Sequence, residues 1–217
     1  MNLEFIEDGH RYLFNGEEVP SVSEILRFAA REVYKTADKT PLDIAADRGK
    51  RVHKACEELD RTGECECDGD IEGYVAAYAK FLKEHAVSWD KIESPFYEDQ
   101  YCLLPYAGTM DRHGTIDNIE VLVDIKTTKT ISGKHKLLYT SQLDAYSKSI
   151  GHPWMVWYIL QLKEDGTYKL IKIDKSKSLF TECLFMHYQF EKTKRRKKGG
   201  RGEEGCGDSS SGSESGD

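Results

Sequence analysis

The centre of the chain contains the segment Val121-Leu122-Val123-Asp124-Ile125-Lys126-Thr127-Thr128. Its β-branched residues predict a strand, in which successive side chains point to opposite faces. Asp124 and Lys126 then share one face, and Val123 and Ile125 point into the opposite layer. A carboxylate and an ammonium group on one face can hold a cation and a water molecule together. An isolated Asp-x-Lys is more often a solvated charge pair, so this interpretation needs support from elsewhere in the chain.

The preceding segment, Tyr106 to Arg112, predicts the partner strand of a hairpin. A tight turn at Asp117-Asn118 pairs residue 116 with 119, and counting outward sets Asp111 opposite Asp124. Two charged carboxylates at directly opposed positions, with Cβ atoms about 5 Å apart, destabilise a sheet. A shared divalent cation removes that conflict, and carboxylate oxygens suit Mg²⁺ or Mn²⁺. We therefore predict a metal site on this hairpin. A wider loop would shift the pairing.

Three further features support this site. His53 and Glu57 are four residues apart and share one face of a predicted helix, where the imidazole suits Mn²⁺. Gln142 and Tyr146 form a second pair with this spacing on the helix after the hairpin. Glu93, in the strand before the hairpin, could add a carboxylate or support the lysine. Each feature has a simpler interpretation: a surface ion pair, a helix surface with a half-buried tyrosine, and an edge-strand charge.

The pattern along the chain predicts an α/β fold, with a central mixed sheet of about five strands and helices on both faces. A hairpin is expected over residues 3–20, and Ser21 with Glu24 fits the start of a helix. Further helices are predicted at 42–61, 71–85, 135–150 and 176–191, and strands at 89–98, 101–112, 119–127, 154–160 and 168–173.

Residues 1–191 therefore form one predicted domain, and residues 192–217 form a tail of different composition. The tail begins with a run of lysines and arginines and continues as Gly and Ser with scattered acids. Such a segment buries too little apolar area to order, so we expect it to be disordered. The basic run could bind nucleic acid or could be a solvated end.

Net charge, apolar content and cysteine usage restrict the classes of protein to which this chain can belong. The net charge of −7 argues mildly against a nucleic-acid partner, although clustered carboxylates that hold metal also contribute to it. No segment approaches the ~18 apolar residues of a membrane helix, and the N-terminus does not resemble a signal peptide, so a cytoplasmic site of action is expected. The six cysteines are expected to be free thiols, because Cys65 and Cys67 are too close for half of a usual zinc site.

Four motifs in this order resemble the RecB-type branch of the PD-(D/E)XK nucleases. The branch includes helicase-associated nuclease domains and small phage or bacterial exonucleases. The resemblance covers about residues 49–150, and four ordered motifs are far more specific than one. The matching residues are Gly49, His53 and Glu57, then Gly108, Thr109 and Asp111, then Val123, Asp124, Lys126 and Thr127, and finally Gln142 and Tyr146.

The resemblance implies a restriction-endonuclease-like core and a role for each residue of the hairpin. His53, Asp111 and Asp124 would bind Mg²⁺ or Mn²⁺, with the backbone carbonyl of Ile125 as a further ligand. Lys126 would position or activate the attacking water. Some members of the branch also carry an iron–sulfur cluster on one early and three late cysteines. This chain lacks the late triplet, so we expect no cluster.

The resemblance also implies that Glu57 supports the helix site and that Gln142 and Tyr146 orient the site or contact DNA. The expected function is metal-dependent hydrolysis of DNA phosphodiesters, most simply by an exonuclease of DNA recombination, repair or phage DNA processing. Such an enzyme would act in the cytoplasm of a bacterium or a phage-infected host, alone or with a recombination or single-strand-binding protein. Two alternatives stay open: a non-catalytic DNA-binding module on the same fold, and a metalloenzyme that hydrolyses a small phosphoester.

Overall fold

A five-stranded mixed sheet lies at the centre of the molecule, and a three-stranded antiparallel sheet precedes it. The computed structural model describes residues 2–35, 39–67 and 69–199, without the side chains of Lys39 and residues 192–199. The elements are β1 (Leu3–Ile6), β2 (Arg11–Phe14), β3 (Glu17–Val19), α1 (Val22–Ile25), α2 (Arg27–Val33), α3 (Lys39–Thr62), α4 (Glu72–Glu84), β4 (Val87–Glu98), β5 (Tyr106–Ile116), β6 (Ile119–Lys126), α5 (Gly133–Ile150), β7 (Val156–Leu162), β8 (Tyr168–Lys172) and α6 (Phe180–Gly199).

The central sheet has the strand order β4-β5-β6-β7-β8. All neighbouring strands are antiparallel except β6 and β7, which are parallel and joined by α5. Helices α3 and α4 pack on one face of the sheet, and α1, α5 and α6 pack on the other. The predicted α/β fold with a mixed sheet of five strands and helices on both faces is therefore confirmed.

The two faces of β6 enter two separate hydrophobic cores. Val121, Val123 and Ile125 lie in the core beneath α3 and α4, whereas Leu122 lies in the core beneath α5. All four side chains are fully buried. The predicted alternation of β6 is therefore correct, and it leaves Asp124 on the α5 face.

The turn between β5 and β6 has the predicted length. Asp117 and Asn118 have φ values of 52° and 65°, as a type I′ turn requires. Strand pairing runs from Ile116 with Ile119 outward to residues 112 and 123. The register predicted from the sequence is therefore confirmed along this ladder.

Several predicted boundaries are wrong. The region 3–20 contains three strands, because both Gly9 and Gly16 turn the chain with positive φ. Strand β5 covers 106–116 instead of 101–112, since Cys102 and Leu103 adopt left-handed backbone in a turn. A 3-10 turn occupies residues 175–177, so α6 begins later than predicted.

Helix α6 continues to Gly199, through the basic run and beyond the predicted end at residue 191. Residues 200–217, for which a disordered Gly/Ser-rich tail was predicted, lie outside the described residues. No described helix combines the length and the apolarity that crossing a bilayer requires.

Close backbone packing fixes α4 against the hairpin of β7 and β8. A Cβ atom added to Gly73 would lie 1.8 Å from the carbonyl oxygen of Glu164, a backbone atom that cannot rotate away. Gly133, at the start of α5, has no such neighbour within 4 Å. The two glycines therefore form a matched pair for testing this contact.

We expect Gly73→Ala to lower the free energy of unfolding by about 1–3 kcal/mol, because the helix must move away from the hairpin. Gly133→Ala should leave it equal or slightly higher, since alanine restricts the unfolded chain. Thermal unfolding followed by circular dichroism measures both. Equal midpoints for the two variants would contradict the packing described here.

Candidate active site

Asp111 and Asp124 come together where the β5–β6 ladder ends. Beyond the last paired residues, the backbone N–H of Ile125 donates to Asp111 Oδ2 at 2.7 Å instead of to a backbone carbonyl. Asp111 is 6% exposed and Asp124 is fully buried. Both predicted carboxylates therefore lie in a nearly dry environment, where an uncompensated charge is costly.

His53 reaches this hairpin from α3. Its Nδ1 lies 3.0 Å from Glu93 Oε1 and 3.7 Å from Asp111 Oδ2, and its Nε2 lies 3.1 Å from the carbonyl oxygen of Ile125. The imidazole is thus placed among three of the oxygens that surround the end of the hairpin. The structure brings His53, Asp111 and Ile125 together, as the sequence motifs predicted.

Glu93 contributes more to the site than the sequence suggested. The pairing of β4 with β5 sets it level with Asp111, and its φ is 41°. A left-handed glutamate costs about 1–3 kcal/mol, and such strain concentrates at functional sites. Its Oε1 accepts hydrogen bonds from Arg112 and His53, so it supports the histidine rather than the lysine.

His53, Glu93 and Asp111 form a group that could hold a metal ion. One donor atom from each lies within 4.8 Å of the other two. Adjacent ligands about 2.1 Å from one octahedral ion are about 3 Å apart, close to the measured 3.0 and 3.7 Å. An imidazole with two carboxylates is a donor set that Mn²⁺ accepts well and Mg²⁺ accepts less readily.

Asp124 and Lys126 form a buried ion pair beside this group. Lys126 Nζ lies 2.8 Å from Oδ1 and 2.7 Å from Oδ2 of Asp124. Only the contact with Oδ1 has the geometry of a hydrogen bond, so Oδ2 has no hydrogen-bond partner among the described residues. This buried oxygen is held by charge attraction to the same ammonium group. The predicted placement of both side chains on one face is confirmed.

Gln142 and Tyr146 connect α5 to this ion pair. Lys126 Nζ is 3.3 Å from Gln142 Oε1, and Gln142 Nε2 donates to the Tyr146 hydroxyl at 2.6 Å. The Tyr146 ring packs edge-on against Phe96, and Lys126 lies 4.9 Å from the ring centre of Tyr139. The two predicted residues of α5 therefore hold the lysine in place.

Asp124, predicted as a metal ligand, is not a member of the group formed by His53, Glu93 and Asp111. Glu57, predicted to support the helix site, also lies outside it. Its carboxylate forms an ion pair with Arg61, at 2.9 Å, one turn further along α3. Arg61 in turn approaches the carbonyl oxygen of Ile92 at 3.4 Å. Glu57 therefore connects the helix to β4 and lies beside the site rather than in it.

Two charged residues near the site escaped the sequence analysis. Arg112 has no exposed surface, and it pairs with Asp60 at 2.7 Å and with Glu93 at 2.9 Å. The sequence contained one signal: Asp60 lies seven residues after His53 and hence on the same helix face. No periodic pattern in the sequence predicts that Arg112, which directly follows Asp111, is buried at the site.

Burial and charge act on the protonation of the site in opposite directions. Burial disfavours the imidazolium of His53, but Asp111 and Glu93 outweigh this effect and raise its pKa to about 9. Burial raises the pKa of Asp124 above its usual range, and Lys126 opposes part of that shift. Burial also lowers the pKa of Lys126, but the Asp124 and Asp111 carboxylates more than offset it. The metal-free site therefore retains protons near neutral pH.

No protein-family model matches this chain, and no curated protein matches its sequence.

We expect the imidazole of His53 to titrate near pH 9 in metal-free protein. Asp111→Asn should move the midpoint down, since the charge of Asp111 is the largest contribution that raises the pKa of His53. Two-dimensional ¹H–¹⁵N NMR between pH 5 and 10 measures it, with His53→Gln to assign the resonance. Asp165→Asn, in the distant β7–β8 turn, should leave the midpoint unchanged. A midpoint at the ordinary 6.5 would contradict the described contacts.

Proposed function

We propose that this protein is a metal-dependent DNA nuclease of the RecB-type PD-(D/E)XK kind, most simply an exonuclease. The observation that carries the proposal is the convergence of His53, Glu93 and Asp111 on the end of the hairpin that holds Asp124 and Lys126. Three of the four motifs behind the resemblance supply His53, Asp111, Asp124 and Lys126 from α3, β5 and β6, and Glu93 comes from β4. We also propose that the enzyme acts in the cytoplasm, in DNA recombination, repair or phage DNA processing.

The proposed cofactor is Mg²⁺ or Mn²⁺. His53, Glu93 and Asp111 would hold it. The resemblance adds Asp124, which lies outside that group and is paired with Lys126, and the carbonyl of Ile125, which faces the other ring nitrogen of His53. When bound, the ion would neutralise the carboxylates, lower the pKa of a coordinated water and stabilise charge on the phosphate.

Lys126 is the residue that the chain itself contributes to the chemistry. Its side chain is 20% exposed, similar to His53 and Glu93, and its ammonium group contacts Asp124 and Gln142. Gln142, fixed by Tyr146, limits where that group can move. A positioned ammonium stabilises negative charge that develops on phosphoryl oxygens during hydrolysis.

The positive charge of the segment that follows Lys126 favours binding of a polyanionic substrate. Lys129, Lys134 and Lys136 are exposed, and the sequence contains no acidic residue between Lys126 and Asp144. This cationic stretch lies immediately beside the proposed reaction site. Local charge therefore favours a phosphodiester backbone, although the whole chain has a net charge of −7.

We expect Lys126→Ala and Asp124→Asn to lower the rate of DNA cleavage by at least about 10³-fold, because each removes a group placed at the reacting phosphate. Binding of DNA should survive in both variants, since the exposed lysines remain. Lys169→Ala, an exposed lysine of β8, is the matched control and should cleave at the parent rate.

The assay compares linear with covalently closed circular DNA, in Mg²⁺, Mn²⁺ or EDTA. Loss of linear DNA alone identifies an exonuclease. Cleavage by Lys126→Ala at the parent rate would contradict the assignment of Lys126 to the active site. If the folded protein cleaves no DNA but hydrolyses small phosphoesters with Mn²⁺, it is a metalloenzyme of another class. If it binds DNA without any hydrolysis, it is a non-catalytic DNA-binding module.

We expect the affinity for Mn²⁺ to rise with pH between 6.5 and 8.5. His53, whose pKa is raised to about 9, must lose its proton to bind a metal, so one released proton gives a slope of about tenfold per pH unit. Titration calorimetry in buffers of different ionisation enthalpy measures both affinity and proton release. An affinity that does not change over this range would exclude His53 as a ligand.

A further inference from the structure

Arg112 occupies an unusual position for a charged residue. It follows Asp111 in β5, and its side chain has no exposed surface. One guanidinium contacts two carboxylates: Nε lies 2.7 Å from Asp60 Oδ2, and Nη1 lies 2.9 Å from Glu93 Oε1. Nη1 also donates to the carbonyl oxygen of Asp111 at 2.6 Å. Burial of a cation is costly, so this arrangement requires compensating anions on both sides.

Asp60 anchors the guanidinium from α3. Its side chain is 2% exposed, and both of its oxygens accept from the Tyr78 hydroxyl, at 2.9 and 2.8 Å. Trp89 Nε1 approaches the same hydroxyl at 3.2 Å. The carboxylate is therefore fixed by α4 and β4 as well as by its own helix, and it cannot follow Arg112 if the arginine moves.

The other end of the guanidinium meets Glu93, the strained residue of the metal-binding group. Arg112 and His53 share one oxygen of Glu93, which fixes the orientation of its carboxylate towards Asp111. A left-handed backbone alone does not determine where a glutamate side chain points. The planar fork of an arginine can hold two carboxylates at once, whereas the ammonium group of a lysine has no such fixed geometry.

We propose that Asp60 and Arg112 are positioning residues that hold Glu93 as a ligand in the metal-binding group. Neither contacts the substrate; Asp60 orients Arg112, and Arg112 orients Glu93. This inference rests on the proposed function, because it assigns the two residues to the same metal site. The competing interpretation is a buried ion pair that serves only the stability of the fold.

A double-mutant cycle separates the two interpretations. The dissociation constant for Mn²⁺ is measured by titration calorimetry on the full chain for the parent, Arg112→Lys, Glu93→Gln and the double variant. We expect Arg112→Lys to weaken Mn²⁺ binding about 10- to 100-fold, as loss of an outer-shell partner commonly does. Glu93→Gln should weaken it at least as much, because it removes the charge of a ligand. In the Glu93→Gln background, Arg112→Lys should have no further effect, because its target is already lost.

Arg51→Lys is the matched control. Arg51 also forms a two-bond contact with an aspartate, Asp70, at 2.8 and 2.9 Å, but on the exposed side of α3. Its substitution should leave the Mn²⁺ dissociation constant unchanged. Circular dichroism and thermal unfolding establish that each variant is folded.

Asp60→Asn provides a second route if Arg112→Lys does not fold. The amide keeps an acceptor for Tyr78 and removes the charge that holds Arg112. The same loss of Mn²⁺ affinity is expected, again absent in the Glu93→Gln background. The positioning role is overturned by an unchanged affinity in either folded variant, by an equal loss in both backgrounds, or by loss of folding in both variants.

The same measurements distinguish this inference from the proposed nuclease function. If the parent binds Mn²⁺ and shows the predicted coupling but does not cleave DNA, the positioning role of Asp60 and Arg112 is supported and the nuclease function is rejected. If the parent cleaves DNA and its folded variants bind Mn²⁺ with unchanged affinity, the nuclease function is supported and the positioning role of Asp60 and Arg112 is rejected. A parent that binds no Mn²⁺ overturns both.

Discussion

Buried negative charge at the end of one β-hairpin is the constraint around which the rest of the site is arranged. Asp111 in β5 and Asp124 in β6 lie next to the last pair of their shared ladder, and Glu93 lies level with Asp111 on β4. Carboxylates in a nearly dry environment repel one another and lose their hydration. Such a site is tolerated only where neighbouring groups supply protons or positive charge.

Three different elements supply that compensation. His53 comes from α3, Arg112 from β5 and Lys126 from β6. The histidine lies between Glu93 and Asp111, the arginine also contacts Glu93, and the lysine contacts Asp124. Because each cation is fixed by further contacts of its own, the carboxylates keep defined positions. This pre-arrangement is what a metal-dependent hydrolase requires, and it supports the function proposed above.

The two hydrophobic cores explain how a sheet accommodates so many polar groups. Val121, Val123 and Ile125 secure β6 on one face and Leu122 on the other, all without exposed surface. The strand is therefore rigid up to the position where its ladder ends. The left-handed backbone of Glu93 is a local cost that this packing sustains.

The sequence by itself determined the features that follow from periodicity within one element. Strand alternation placed Asp124 with Lys126, and the two-residue turn set the register that brings Asp111 beside them. Tertiary structure alone decided that Glu93 joins the site and that Arg112 is buried against it. The ion pair of Glu57 with Arg61, in contrast, joins residues four apart in one helix, so spacing along the chain accounts for it. The physical reason is that spacing along a chain fixes where a side chain points relative to its own backbone, whereas the distance between elements depends on how they pack.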